Sequence, residues 1–179
     1  MRVQPILKKS QLAPAYHDIY NAIVLPRGGM SELFGLLLHD PKLADRVAEL
    51  GSQIRFNSPL SADVQEIVIL TVAAELPGSY FWGFHRPLAQ AAGVPEELID
   101  AIKNKDDVPG ENGQLISYAR AVLAFKRPAP EIFDVVLNRF GIPGIVTLTS
   151  TVSYYVMLIS VLATFGMSGP LATPIDGEP

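Results

Sequence analysis

Cysteine is absent from the 179 residues, which at once excludes disulfides, thiolate metal ligands, cysteine nucleophiles and thiol redox relays. Histidine is scarce: His17, His39 and His85 are the whole supply, and no two of them share a ligand-like spacing, so neither a metal nor another cofactor is expected. Basic charge is in deficit. With a net charge of −4 and a pI near 5.3, no broad cationic face is available for a phosphate backbone, and nucleic acid is not an expected partner. Charged residues make up 18% and hydrophobic ones 49%, more apolar than an average soluble domain. A chain of this length suits one domain, which buries roughly two-thirds of the surface its unfolded form exposes. That domain is expected to span 1–179, with irregular ends at 1–12 and 167–179. The first residues lack the apolar core and small-residue cleavage site of a signal peptide, so the expected location is cytoplasmic.

No charged residue occurs over 141–175. Length alone would allow a membrane span, but Pro143 and Gly144 stand at its start. Its hydrophobicity is diluted by Thr147, Thr149, Ser150, Thr151, Ser153, Ser160 and Thr164, and no basic cluster flanks it to orient a span. The expectation is a helix central to the core or at a subunit interface, not a membrane segment. Tyr154, Tyr155, Met157, Leu158, Val161 and Leu162 look like more apolar contact than one small core absorbs, which points to a homo-oligomer.

Breakers divide the chain into helices, and alternation of the strand type never persists. The fold class is all-α. Helices are expected at 15–24 and 31–38, then at 42–55 with Pro41 in the first turn. Ser61 is the expected N-cap of a helix over 62–76, with Asp63 in its first turn. Pro77-Gly78 makes the turn into a partner helix over 79–92, stopped by Gly93. Short helices follow at 95–103, 113–126 and 131–139, and a long one at 145–165. The polar run 104–112 reads as the longest exposed loop.

The central hairpin carries the chemistry. Glu66 interrupts an apolar segment, with Val64 before it and Ile67 to Leu70 after, and an unpaired buried charge is expensive, so this carboxylate needs a partner. The next helix offers one: Trp82, His85, Ala89 and Ala92 lie along a single stripe. Counted outward from the turn, Glu66 and His85 differ by about three residues, roughly 4 to 5 Å along antiparallel axes, so they can face each other. Pro87 sits inside the partner helix and frees the Gly83 carbonyl, a kink beside a histidine where a ligand or water would fit. His39 reads as part of a helix cap before Asp40-Pro41 and His17 as surface or satisfied core. Arg55 and Arg86 are the arginines nearest the hairpin in sequence; either would suit a substrate carboxylate or an ordinary surface ion pair.

Glu66, the run Tyr80-Phe81-Trp82-Gly83-Phe84-His85 and the following Ala89-Gln90-Ala91-Ala92-Gly93-Val94-Pro95-Glu96-Glu97 together resemble the signature of the carboxymuconolactone decarboxylase and AhpD-like alkylhydroperoxidase family. The resemblance extends more weakly from about His39 to the long C-terminal helix. It implies an all-helical subunit assembling into trimers or hexamers, with Glu66 and His85 lining the pocket. The peroxidase branch has a Cys-x-x-Cys pair where this chain has Gly78 and Phe81, so peroxidase and disulfide reductase chemistry is excluded. Many relatives also carry an acidic residue at the position of Phe81.

The function this implies is cofactor-free acid/base catalysis resembling carboxymuconolactone decarboxylase, on a small lactone or carboxylic acid, as a lyase or a related isomerase or hydrolase. Glu66 and His85 are the expected catalytic residues, and Tyr80 and Trp82 the expected walls for substrate. The alternative is a catalytically inactive member of the same fold that binds a small ligand or serves as an oligomeric interaction partner.

Overall fold

Proline, glycine and serine punctuate the described residues into eight α-helices. The structure, a computed structural model, describes residues 3–76 and 80–167. In order they are α1 (His17–Val24), α2 (Glu32–Leu37), α3 (Pro41–Phe56), α4 (Ala62–Glu75), α5 (Tyr80–Ala91), α6 (Glu96–Asn104), α7 (Gly110–Leu123) and α8 (Pro130–Thr164). Short 3-10 turns at Lys9–Gln11, Pro14–Tyr16 and Leu25–Arg27 fill the connections, and no strand occurs among the described residues. The fold is all-helical, as the sequence pattern requires.

A helix apolar on every side must be wrapped on every side, and α4 is that helix. Its run from Val64 to Ala73 is buried throughout, and α5, α6, α7 and α8 pack around it. Local chemistry fixes the ends of its neighbours. The Ser31 hydroxyl accepts from the Phe34 N–H at the start of α2, and the Asp40 carboxylate accepts from Leu43 N–H at the start of α3, with Pro41 behind it. Ser61 stands at the N-cap of α4 but makes no capping bond. His39 is not part of a cap: its Nε2 donates to the Gln4 carbonyl at 2.9 Å and ties down the N-terminal segment. Among its described residues that segment has no regular helix before Lys9, yet it docks, with Ile6 N–H bonded to the Gly35 carbonyl.

Three expectations are corrected. The exposed linker after α6 covers only 105–109, because Gly110, Glu111 and Asn112 form the first turn of α7, where Glu111 favours the helix dipole. The last two helices run on from each other, separated only by Gly141, whose φ of 66° and ψ of 179° break α8 into pieces over 130–140 and 142–164. By length and composition α8 is apolar enough to cross a membrane, but much of it faces α4 and α7. Finally, Tyr154, Tyr155, Leu158 and Leu162 are buried within the subunit itself, and of the six residues read as surplus only Met157 is exposed. The turn at Pro77-Gly78, the start at Ser79 and the tail from Ser168 lie outside the described residues.

Candidate functional site

The buried stripe of α5 is Phe81, His85 and Ala89, together with Tyr80. It lies on α4 opposite Glu66, which is 7% exposed, while His85 is 1% exposed. His85 Nδ1 and Glu66 Oε2 are 2.7 Å apart. A carboxylate oxygen accepts, so Nδ1 carries the hydrogen and Nε2 is the nitrogen left with a lone pair.

The imidazole is packed among rings. Phe81 stacks against it at 6.1 Å between centroids, while Phe84 at 5.0 Å and Tyr155 at 5.2 Å meet it edge to face. Burial among these rings pulls the His85 pKa below its usual value, outweighing the hydrogen bond and charge of Glu66, and the positive charge of Arg55 acts in the same direction as burial. His85 is therefore a neutral base with its donor side occupied. The unfolded chain takes up this proton first as pH falls through about 6.5, so the neutral imidazole's contribution to stability is present above that pH and is lost as pH falls toward the folded value. Urea midpoints for wild type and His85→Gln, taken from about pH 8 to about pH 5, should converge or cross on the acid side. A difference that stays constant across that range would contradict a depressed His85.

His85 forms part of the wall of a cavity of about 270 Å³. Its other walls come from five places: the loop from Arg27 to Ser31, Leu33 and Phe34 of α2, the face of α3 bearing Gly51 and Arg55, the start of α5, and Tyr154, Tyr155 and Leu158 of α8. Gly51 is required where it stands. A Cβ there would lie 2.1 Å from the Tyr154 hydroxyl, which donates to the Val47 carbonyl at 3.2 Å. Burial raises the phenols: Tyr80 and Tyr154 to about 12, and Tyr155 further in the same direction. All three stay neutral hydroxyls near pH 7.

The residues singled out from the sequence divide. Tyr80 lines the cavity, with its hydroxyl near the Ser31 side chain and Leu33 backbone. Trp82 does not line it; it is half-buried against the core. Phe81 takes the place expected for Trp82. Glu66 stands behind His85 rather than at the cavity wall. Gly83 and Pro87 are exposed and outside the cavity, so the kink expected to bind a ligand faces away from it. Arg86 pairs with Glu96 on the surface, leaving Arg55 as the cavity arginine of the two. Arg27, Tyr154 and Tyr155 were not legible as site residues, since nothing local links them to the hairpin. Among the described residues no group of three or more His, Asp or Glu side chains is gathered as a metal would need.

The fold and cavity define an all-helical chain in which a buried imidazole–carboxylate pair meets an aromatic, cationic pocket. Compared with known proteins, the chain matches no family model and no curated protein sequence.

Proposed function

We propose that this protein is an acid/base catalyst of the carboxymuconolactone decarboxylase-like kind, acting on a small lactone or carboxylic acid without a cofactor. The observation that carries the reading is the 2.7 Å contact between Glu66 and His85, with His85 in the wall of an aromatic cavity. Glu66 holds the tautomer, and His85 Nε2 is the base. It takes a proton from a carbon next to a carbonyl, the electron pair moves onto the carbonyl oxygen, and the imidazolium returns the proton to the same or a neighbouring carbon. Glu66 stabilises the imidazolium while it exists, and the neutral phenols favour the enolate. Tautomerisation and double-bond isomerisation start from this protonation state directly. Lactone hydrolysis does too, with water as the proton donor to Nε2. Decarboxylation needs a proton already on Nε2 to deliver to the carbon that CO2 leaves, so it is the weaker fit to a neutral histidine.

The test is exchange of substrate C–H for deuterium in D2O, followed by NMR over a panel of unsaturated γ-lactone carboxylates and β-keto acids. Wild type should exchange at least one of them, and His85→Gln and Glu66→Gln, checked for helicity, should fall toward the uncatalysed rate. Equal exchange by folded wild type and His85→Gln would sink the reading and favour a non-catalytic ligand binder.

A further inference from the structure

Outside the cavity the described arginines are ion-paired, apart from the exposed Arg127. Arg46 meets Asp45 and Glu49, Arg86 meets Glu96, Arg120 meets Glu75 and Arg139 meets Glu111. Arg27 and Arg55 are different: both line the cavity and neither has a carboxylate partner among the described residues. Arg27 is positioned by neutral groups, donating from Nη1 to the Ile23 carbonyl at 3.1 Å and from Nη2 to the Ala48 carbonyl at 2.8 Å and the Ser52 hydroxyl at 3.4 Å. Its guanidinium lies 4.5 Å from the Phe34 ring centroid. Arg55 makes no hydrogen bond or ion pair with the described residues and rests over Phe56 and Phe84, at 5.3 and 5.5 Å from their centroids.

These contacts orient both cations without neutralising either. Among the described residues no carboxylate lines the cavity, the phenols are neutral, and Glu66 is engaged by His85. Burial and the neighbouring charge of Arg55 both work against the charge on Arg27. Two cations held in a partly dry site repel each other, and an anion placed between them relieves both the repulsion and the desolvation. Planar guanidiniums match a carboxylate's two oxygens, and the ring-rich walls match a flat apolar body.

We propose that Arg27 and Arg55 form a carboxylate-binding subsite, which takes the acid group of a flat, unsaturated carboxylate and directs the rest of that ligand toward His85. The subsite rests on the acid/base reading only for what happens at the His85 end; binding at the arginine end stands apart from it. The carboxylate held there is a spectator that sets the register of the reacting carbon, so changing the arginines affects substrate affinity before it affects proton transfer.

Benzoate and its uncharged isostere benzamide are the probes, titrated calorimetrically into the full chain at low salt. Wild type should bind benzoate at least about tenfold more tightly than benzamide. Arg55→Gln, which removes no protein hydrogen bond, should lose about that factor for benzoate and leave benzamide unchanged, while Arg55→Lys keeps most of the benzoate affinity. Arg27 also holds the loop after α1 in place, so Arg55 is the cleaner position to change. Benzoate binding no tighter than benzamide, or undiminished in Arg55→Gln, overturns the subsite. If benzoate shows this dependence on Arg55 while wild type exchanges no substrate proton, the subsite stands and the catalytic reading falls.

Discussion

Replacing His85 by leucine should cost the fold about 3–5 kcal/mol at neutral pH, read from urea unfolding. Leucine restores most of the buried volume, so the loss is not chiefly a cavity effect. What remains is Glu66, 7% exposed, facing apolar neighbours on α4 with its donor at 2.7 Å removed. The opposite change, Glu66→Leu, leaves a neutral imidazole short of one acceptor, which costs less, about 1–3 kcal/mol. Combining the two changes should regain most of the loss, because two packed leucines require no desolvation of charge. The double-mutant cycle therefore has a strongly favourable coupling term. A His85→Leu variant within about 1 kcal/mol of wild type would mean that Glu66 finds water or another donor. If the double variant matches or exceeds the wild type, the pair does not exist for stability. That outcome favours a chemical role for it, since natural cores retain such groups where a site uses them.

How far this pair was legible in the sequence follows from what local periodicity encodes. One carboxylate inside the apolar run around Ile67 to Leu70, and one histidine at the matching distance beyond a Pro-Gly turn, give the register of a helical hairpin by arithmetic alone. The stripe on α5 was less determined. Trp82, His85 and Ala89 fit helical spacing, and Phe81, His85 and Ala89 fit it equally; only packing against α4 selects the second. The cavity was not legible. Arg27, Arg55 and Tyr155 converge from a loop after α1, from α3 and from α8, and no spacing rule links positions so far apart in the chain. Tyr154 and Tyr155 sit in a stretch apolar on most sides, where periodicity cannot say which side faces inward or separate core from subunit contact. Polarity misled in the other direction at Gly110 to Asn112, which looked like loop but form a first helical turn.

That same turn gives the largest stability effect expected from a single added methyl group. Alanine inside a helix is ordinarily better than glycine by about 1 kcal/mol, and Gly83 is a site where the rule should hold. A Cβ there meets nothing within 4 Å, so Gly83→Ala should stabilise by roughly 0.5–1 kcal/mol. Gly113 is the reverse case. It is buried in α7, and a Cβ would fall 1.6 Å from the Val108 carbonyl oxygen and 2.6 Å from its carbon. The obstacle is backbone, not the tip of a flexible side chain. Nor can the linker 105–109 retreat freely: Lys105 holds a φ of 63° as the C-cap of α6, and the Asp106 N–H bonds the Ala101 carbonyl at 2.9 Å. Relief requires unwinding the first turn of α7 or pulling the linker off it, so Gly113→Ala should lose about 3 kcal/mol or more despite the better propensity. Because α7 packs on both α4 and α8, the strain passes to the helices that carry Glu66 and Tyr155. Urea unfolding of the two glycine variants side by side checks the argument. Similar midpoints for both would show that the linker yields without resistance and that this close approach does not hold α7 in place.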